Sequence, residues 1–109
     1  MADTFTIRQN DTLPNLAATL LDANGDAVNL AGATVVFRMV PRHGGTAVID
    51  NRSVTVVSAS AGTVSMTWQA TDTDTEGTYL GNFIVTFSGG SIETFPNAEP
   101  LIIEIPKAL

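Results

Sequence analysis

There is no cysteine among the 109 residues, so neither disulfides nor thiolate metal sites can hold this chain together, as suits folding in a reducing cytoplasm. Basic residues are scarce, five Lys and Arg against eleven Asp and Glu, and a net charge of −6 repels a nucleic-acid backbone. DNA and RNA are therefore not expected partners. No apolar run approaches the roughly 18 residues of a membrane helix. The opening "MADTFTIRQNDT" has no basic segment followed by an apolar one, so neither a membrane partner nor a secretion signal is expected. Without secretion, the glycosylation-like triplets Asn10-Asp11-Thr12 and Asn51-Arg52-Ser53 read as coincidence.

The means of catalysis are also thin. Histidine occurs once, and His43 sits in "PRHGG", which reads as the tip of a hairpin rather than as a general base. The glycines fall singly or in pairs at turns, so there is no phosphate-cradling loop. No catalytic, cofactor-binding or metal-binding residue is assigned, no cofactor is expected, and the chain reads as non-enzymatic. Charged residues make up only 15% against an ordinary share of about 25%. Thr, Ser and Asn fill many of the remaining polar positions, giving a surface that dehydrates cheaply against other protein copies.

What is present is alternation. "TVSMTW" places Val64, Met66 and Trp68 on one face and Thr63, Ser65 and Thr67 on the other. "TVVFRMV" separates Val35, Phe37 and Met39 from Val36, Arg38 and Val40, and "TYLGNFIVTF" groups Tyr79, Phe83, Val85 and Phe87. Turn residues divide these runs at Asn24-Gly25, Gly44-Gly45, Ala61-Gly62 and Gly89-Gly90. The pattern predicts strands over 4–8, 15–22, 26–30, 34–40, 47–50, 53–58, 62–68, 78–87, 91–95 and 100–106. "LPNLAATLLDA" has near-helical leucine spacing, but the Asn24-Gly25 turn that follows favours a strand. With 44% hydrophobic residues the chain has enough for one core, and short strands without crossover helices predict one domain over 1–109: an all-β, immunoglobulin-like antiparallel β-sandwich with hairpin connections. Phe5, Phe37, Trp68, Tyr79, Phe83, Phe87 and Phe95 fall mostly at inward positions and read as core.

Two stretches need a choice. In "DTDTEGTY", Asp72, Asp74, Glu76 and Gly77 copy the start of an EF-hand loop, but the twelfth position, where calcium needs a bidentate glutamate, is Phe83. The same stretch reads better as a solvated acidic crossing that ends in a tyrosine corner, with Gly77 at the bend and Tyr79 entering the longest strand. Gly81 stands where an antibody-type domain has its second cysteine, and Trp68 lies on the strand before the corner instead of on an early one. In "PLIIEIPKAL", Leu101, Ile102, Ile103 and Ile105 make a strand apolar on both faces, a candidate interface if a partner subunit rather than a loop covers it.

Taken together, these residues resemble the N-terminal immunoglobulin-like domain of the phage baseplate upper protein family. The resemblance rests on "FTIRQNDTLPNLAATLLDANGDAVNLAGATVVFRM", on "GTVSMTWQATDTDTEGTYLGNFIVTF" with its tryptophan, acidic threonine-rich loop and G-x-Y in order, and on "ETFP"; it covers roughly residues 5 to 105. It implies a structural component of a tailed phage or prophage particle, a homo-oligomer bound to other virion proteins, found in the virion and, during assembly, in the host cytoplasm. In longer relatives a helical extension carries receptor-binding parts. With Leu109 the last residue here, the expectation is a tail or baseplate adaptor, or a capsid-decorating or head-fibre component. The rival expectation is a carbohydrate- or cell-surface-binding module, which would present exposed aromatics at a loop end.

Overall fold

The computed structural model describes residues 3–97 and 99–109. Nine strands form two sheets: β1 (Thr4–Thr6), β2 (Leu16–Thr19), β3 (Thr34–Pro41), β4 (Ile49–Ser53), β5 (Thr55–Ser58), β6 (Thr63–Met66), β7 (Gly77–Thr86), β8 (Ile92–Phe95) and β9 (Leu101–Ile105). The larger sheet runs β1-β9-β7-β3-β4, with β8 also on β7, and the smaller runs β2-β6-β5. Among the described residues there is no helix. The ambiguous leucine-rich segment is a strand, paired with β6 from Leu16↔Met66 to Thr19↔Thr63.

The order is that of an immunoglobulin-like sandwich, in which strands B, E and D oppose C, F and G. Here β2, β6 and β5 take the first set, β3 and β7 are C and F, and β8 with β9 make G. Phe83 of β7 pairs with Phe95 while Gly81, two residues back, pairs with Leu101; the G strand is therefore interrupted by four extra residues.

The alternation sets the core. Val35, Phe37 and Met39 of β3, Phe83 and Val85 of β7, and Val64 and Met66 of β6 are buried between the sheets, each larger side chain contributing about 1.5–3 kcal/mol. Phe37 and Phe83 meet at 4.9 Å, and Gly81 makes room for them: a Cβ there would lie 2.5 Å from the Phe37 ring. Where antibody domains place a disulfide against a strand-C tryptophan, this chain places a phenylalanine against a glycine. Trp68 is buried two residues beyond β6 and stacks on Phe5 at 5.9 Å.

Three expectations need correction. The sandwich is not wholly antiparallel, because β1 pairs parallel to β9. Parallel neighbours need a long connection, and here that connection is nearly the whole chain. Residues 26–30 form no strand, only a Leu21↔Ala27 bridge. Their alternation was real, since Val28 and Leu30 are buried, but their backbones bond to different neighbours, Val28 to Leu20 and Leu30 to Ala59. Finally, the break expected between 50 and 53 falls at Val54, where the chain passes from β4 in the large sheet to β5 in the small one. Turning from one sheet to the other closes that edge of the sandwich covalently.

Candidate functional site

The crossing from β6 to β7 is held by a set of side-chain and backbone hydrogen bonds. The Tyr79 hydroxyl donates to the Thr75 carbonyl at 2.8 Å, four residues upstream, which is the bond a tyrosine corner makes. Gly77, at a φ of 148°, provides the bend, its Cα side facing the Tyr79 ring. Burial, with the Asp74 carboxylate nearby, holds the Tyr79 hydroxyl above its usual range, because both oppose the phenolate.

The crossing is not simply a solvated acidic loop. Asp72 is buried, and its carboxylate accepts from both terminal nitrogens of Arg52, one of them at 2.9 Å, and from the Gln69 backbone N–H at 2.7 Å. Buried carboxylates need such partners, and a two-pronged guanidinium supplies them with fixed geometry. Thr73 is fully buried; its hydroxyl donates to the Asp11 carbonyl at 2.8 Å and its own carbonyl accepts from Asn10 N–H at 2.9 Å. Gln9 extends the clamp, donating to the Asp74 carbonyl at 2.9 Å and accepting from the Ala108 N–H at 3.1 Å. Asp74 and Glu76 are exposed, as expected of a crossing. The calcium pattern loses two positions to this arrangement: Asp72 is held by Arg52, and Phe83 lies in the core.

The C-terminal strand is covered from within the chain. β9 lies between β7 and β1, and Leu101, Ile103 and Ile105 are 8%, 0% and 1% exposed. As core residues these three cannot form an interface; the strand's other face carries Ile102 and Glu104. Only Ile102 of that set is partly accessible, on the opposite face.

That opposite face has a pattern of its own. Across the outer surface of the large sheet, Ile102 pairs with Leu80 and Leu80 with Val40, giving an aliphatic row over three adjacent strands. Val36 and Ile84 form a second row, separated from the first by Arg38 and Asn82. All five aliphatic side chains are half-buried. Val36 and Val40 were already visible as apolar residues in the polar phase of "TVVFRMV", the signal by which this surface could have been found. The outer face of the small sheet is different, carrying Ala17, Thr19, Thr63 and Ser65 with Val57 exposed among them.

At the edge opposite the β4–β5 connection, β1 and β2 flank a groove of about 390 Å³ lined by Phe5, Leu16, Ala18, Leu101 and the acidic Asp3, among others. The aromatic residues do not form an exposed platform, since Phe37, Trp68, Tyr79, Phe83 and Phe95 are core. His43 is exposed in the turn between β3 and β4. No protein-family model matches the chain, and no curated protein matches it.

Proposed function

We propose that this chain is a non-enzymatic structural component of a tailed-phage or prophage particle, assembling in multiple copies as a tail or baseplate adaptor or as a capsid-decorating or head-fibre component. Its work is surface complementarity with neighbouring copies and with other virion proteins. The observation that carries this reading is the aliphatic surface Val36, Val40, Leu80, Ile84 and Ile102 on the outer face of the large sheet, residue types that an isolated domain gains nothing by presenting to water. Size permits this: with extents of 44 × 23 × 22 Å, the broad side of the domain has room for the roughly 800 Å² that each partner gives to a standard interface. The resemblance in motif order to the baseplate upper protein family points to the particle as the setting, with the host cytoplasm as the place of assembly.

A glycan-binding module would present aromatic rings at a loop end, and the core positions of most rings here weigh against it. The test is mass spectrometry and electron microscopy of purified particles from the host that encodes the chain. The expected result is the protein at fixed stoichiometry, with density over the large-sheet face. Its absence from purified particles would sink the reading.

A further inference from the structure

We propose that the groove between β1 and β2 takes an extended segment of a partner protein as an added strand on the outer edge of β2, apolar at alternate positions and carrying a lysine or arginine at the end nearest Asp3. This adds a partner to the assembly reading and rests on it only for the setting in which that partner is met.

The backbone geometry selects a strand. Leu20 N–H donates to the Gly62 carbonyl at 2.8 Å, continuing the register Ala18↔Val64 and Thr19↔Thr63. Since antiparallel ladders alternate, Ala18 also faces β6, and the N–H and C=O groups of Ala17 and Thr19 turn away from the sheet toward its outer edge. On the facing wall, the Asp3 carbonyl accepts from Ile102 and Ile7 N–H donates to the Glu104 carbonyl, so Thr4 and Thr6 turn their backbone groups outward. β1 and β2 are thus the end strands of their sheets, with rows of outward-facing donors and acceptors. Such a row pairs readily with another extended chain.

Topology and size agree with this. In the immunoglobulin scheme the sheet of B, E and D has a fourth strand, A, beside B. Here the first strand pairs with β9 instead, which leaves the edge of β2 for another chain. The four residues of β2 offer about 13 Å of edge at about 3.3 Å per residue. Leu16, Ala18, Phe5 and Leu101 give the inserted strand an apolar floor for every second side chain.

Charge selects a partner over a second copy. Asp3, Asp22, Asp26 and Glu93 lie at the end of the sandwich where β1 begins and β2 finishes, with no Lys or Arg among the described residues there, whereas at the other end Arg8, Arg42 and Lys107 stand among Asp11, Asp74, Glu76 and Glu104. Two copies would bring a net charge of −6 against −6, while a segment with a cation at the Asp3 end is attracted there.

The test uses the whole chain and, as probe, an acetylated and amidated peptide of about nine residues, Lys-Thr-Val-Thr-Val-Thr-Ile-Thr-Thr. Saturable binding is expected, with amide exchange at Ala17 and Thr19 slowed at least about tenfold in the complex. Ala17→Pro removes an outward donor while leaving the β6 ladder intact, and is expected to weaken binding about tenfold or more. Asp3→Asn is expected to weaken this peptide a few-fold and to leave a peptide with Gln in place of Lys unaffected. Absence of binding at millimolar peptide, protection mapping away from Ala17 and Thr19, or unchanged affinity in a folded Ala17→Pro protein overturns the proposal. So does a dimer of the free protein that Ala17→Pro dissociates, since the edge then belongs to a second copy. The peptide experiment needs no particle, so its failure and that of the particle reading are distinguishable.

Discussion

The two edges of the sandwich are finished in opposite ways. On one, the chain runs from β4 through Val54 into β5, and Arg52, just before that bend, reaches the buried Asp72 of the β6–β7 crossing. On the other, β1 and β2 end their sheets with backbone groups facing a groove. The same small domain therefore has a polar clamp at one place and an unpaired edge at another. The difference teaches where change is costly: breaking the clamp leaves a buried charge without its partner, whereas altering the outer edge of β2 touches groups that no described element of the chain uses.

The largest expected effect lies in the clamp. Arg52→Leu leaves the Asp72 carboxylate buried without its cation, and urea unfolding is expected to show a loss of about 3 kcal/mol. Arg38→Leu is the control, because its partner is also charged but both side chains are open, 46% and 61% exposed against 21% and 2% in the Arg52–Asp72 pair. That change is expected to cost less than about 1 kcal/mol. Equal losses would mean that burial does not separate the two pairs.

Next comes the core. Gly81→Ala drives a Cβ into the fully buried Phe37 ring and is expected to cost about 1–3 kcal/mol by the same measurement.

Tyr79→Phe, which removes the bond to the Thr75 carbonyl, is expected to cost about 1 kcal/mol, and calcium is expected to leave the melting temperature of the parent protein unchanged. The pH dependence has a definite sign. A phenol held above its usual range in the folded state stabilises fully below the unfolded value of about 10 and loses that contribution as pH rises through the folded value. Stability is therefore expected to fall above about pH 10, and to fall less steeply in Tyr79→Phe. A calcium-dependent rise in melting temperature would reopen the metal reading of the crossing.

At the outer edge of β2 the expected effect is smallest. Ala17→Pro is expected to change stability by less than about 1 kcal/mol, because proline is tolerated where an edge N–H has no ladder partner.

Much of this fold was legible because period-two alternation reports directly which residues face the core. The strands containing Phe37, Met66 and Phe83, and the four glycine-marked turns, lie where the pattern placed them. The errors share one cause. A sequence tells which side chain is buried but not what covers it: Val28 and Leu30 alternate without a common neighbour, and Ile103 and Ile105 belong to the core while Ile102 between them lies on the outer face. The clamp was hidden for the same reason. Asp72 is one acid among several in "DTDTEG", and its partner stands twenty residues earlier, on β4. The surface row Val40, Leu80 and Ile102 was half legible, as apolar residues in a polar phase whose adjacency required the register.

The most direct test of this contrast is residue-resolved amide exchange of the free protein. The account predicts fast exchange at Thr4, Thr6, Ala17 and Thr19 beside slow exchange at Ala18, Asp72 and Phe83. Protection of Ala17 and Thr19 equal to that of Ala18 would contradict it, because the edge of β2 would then be paired already.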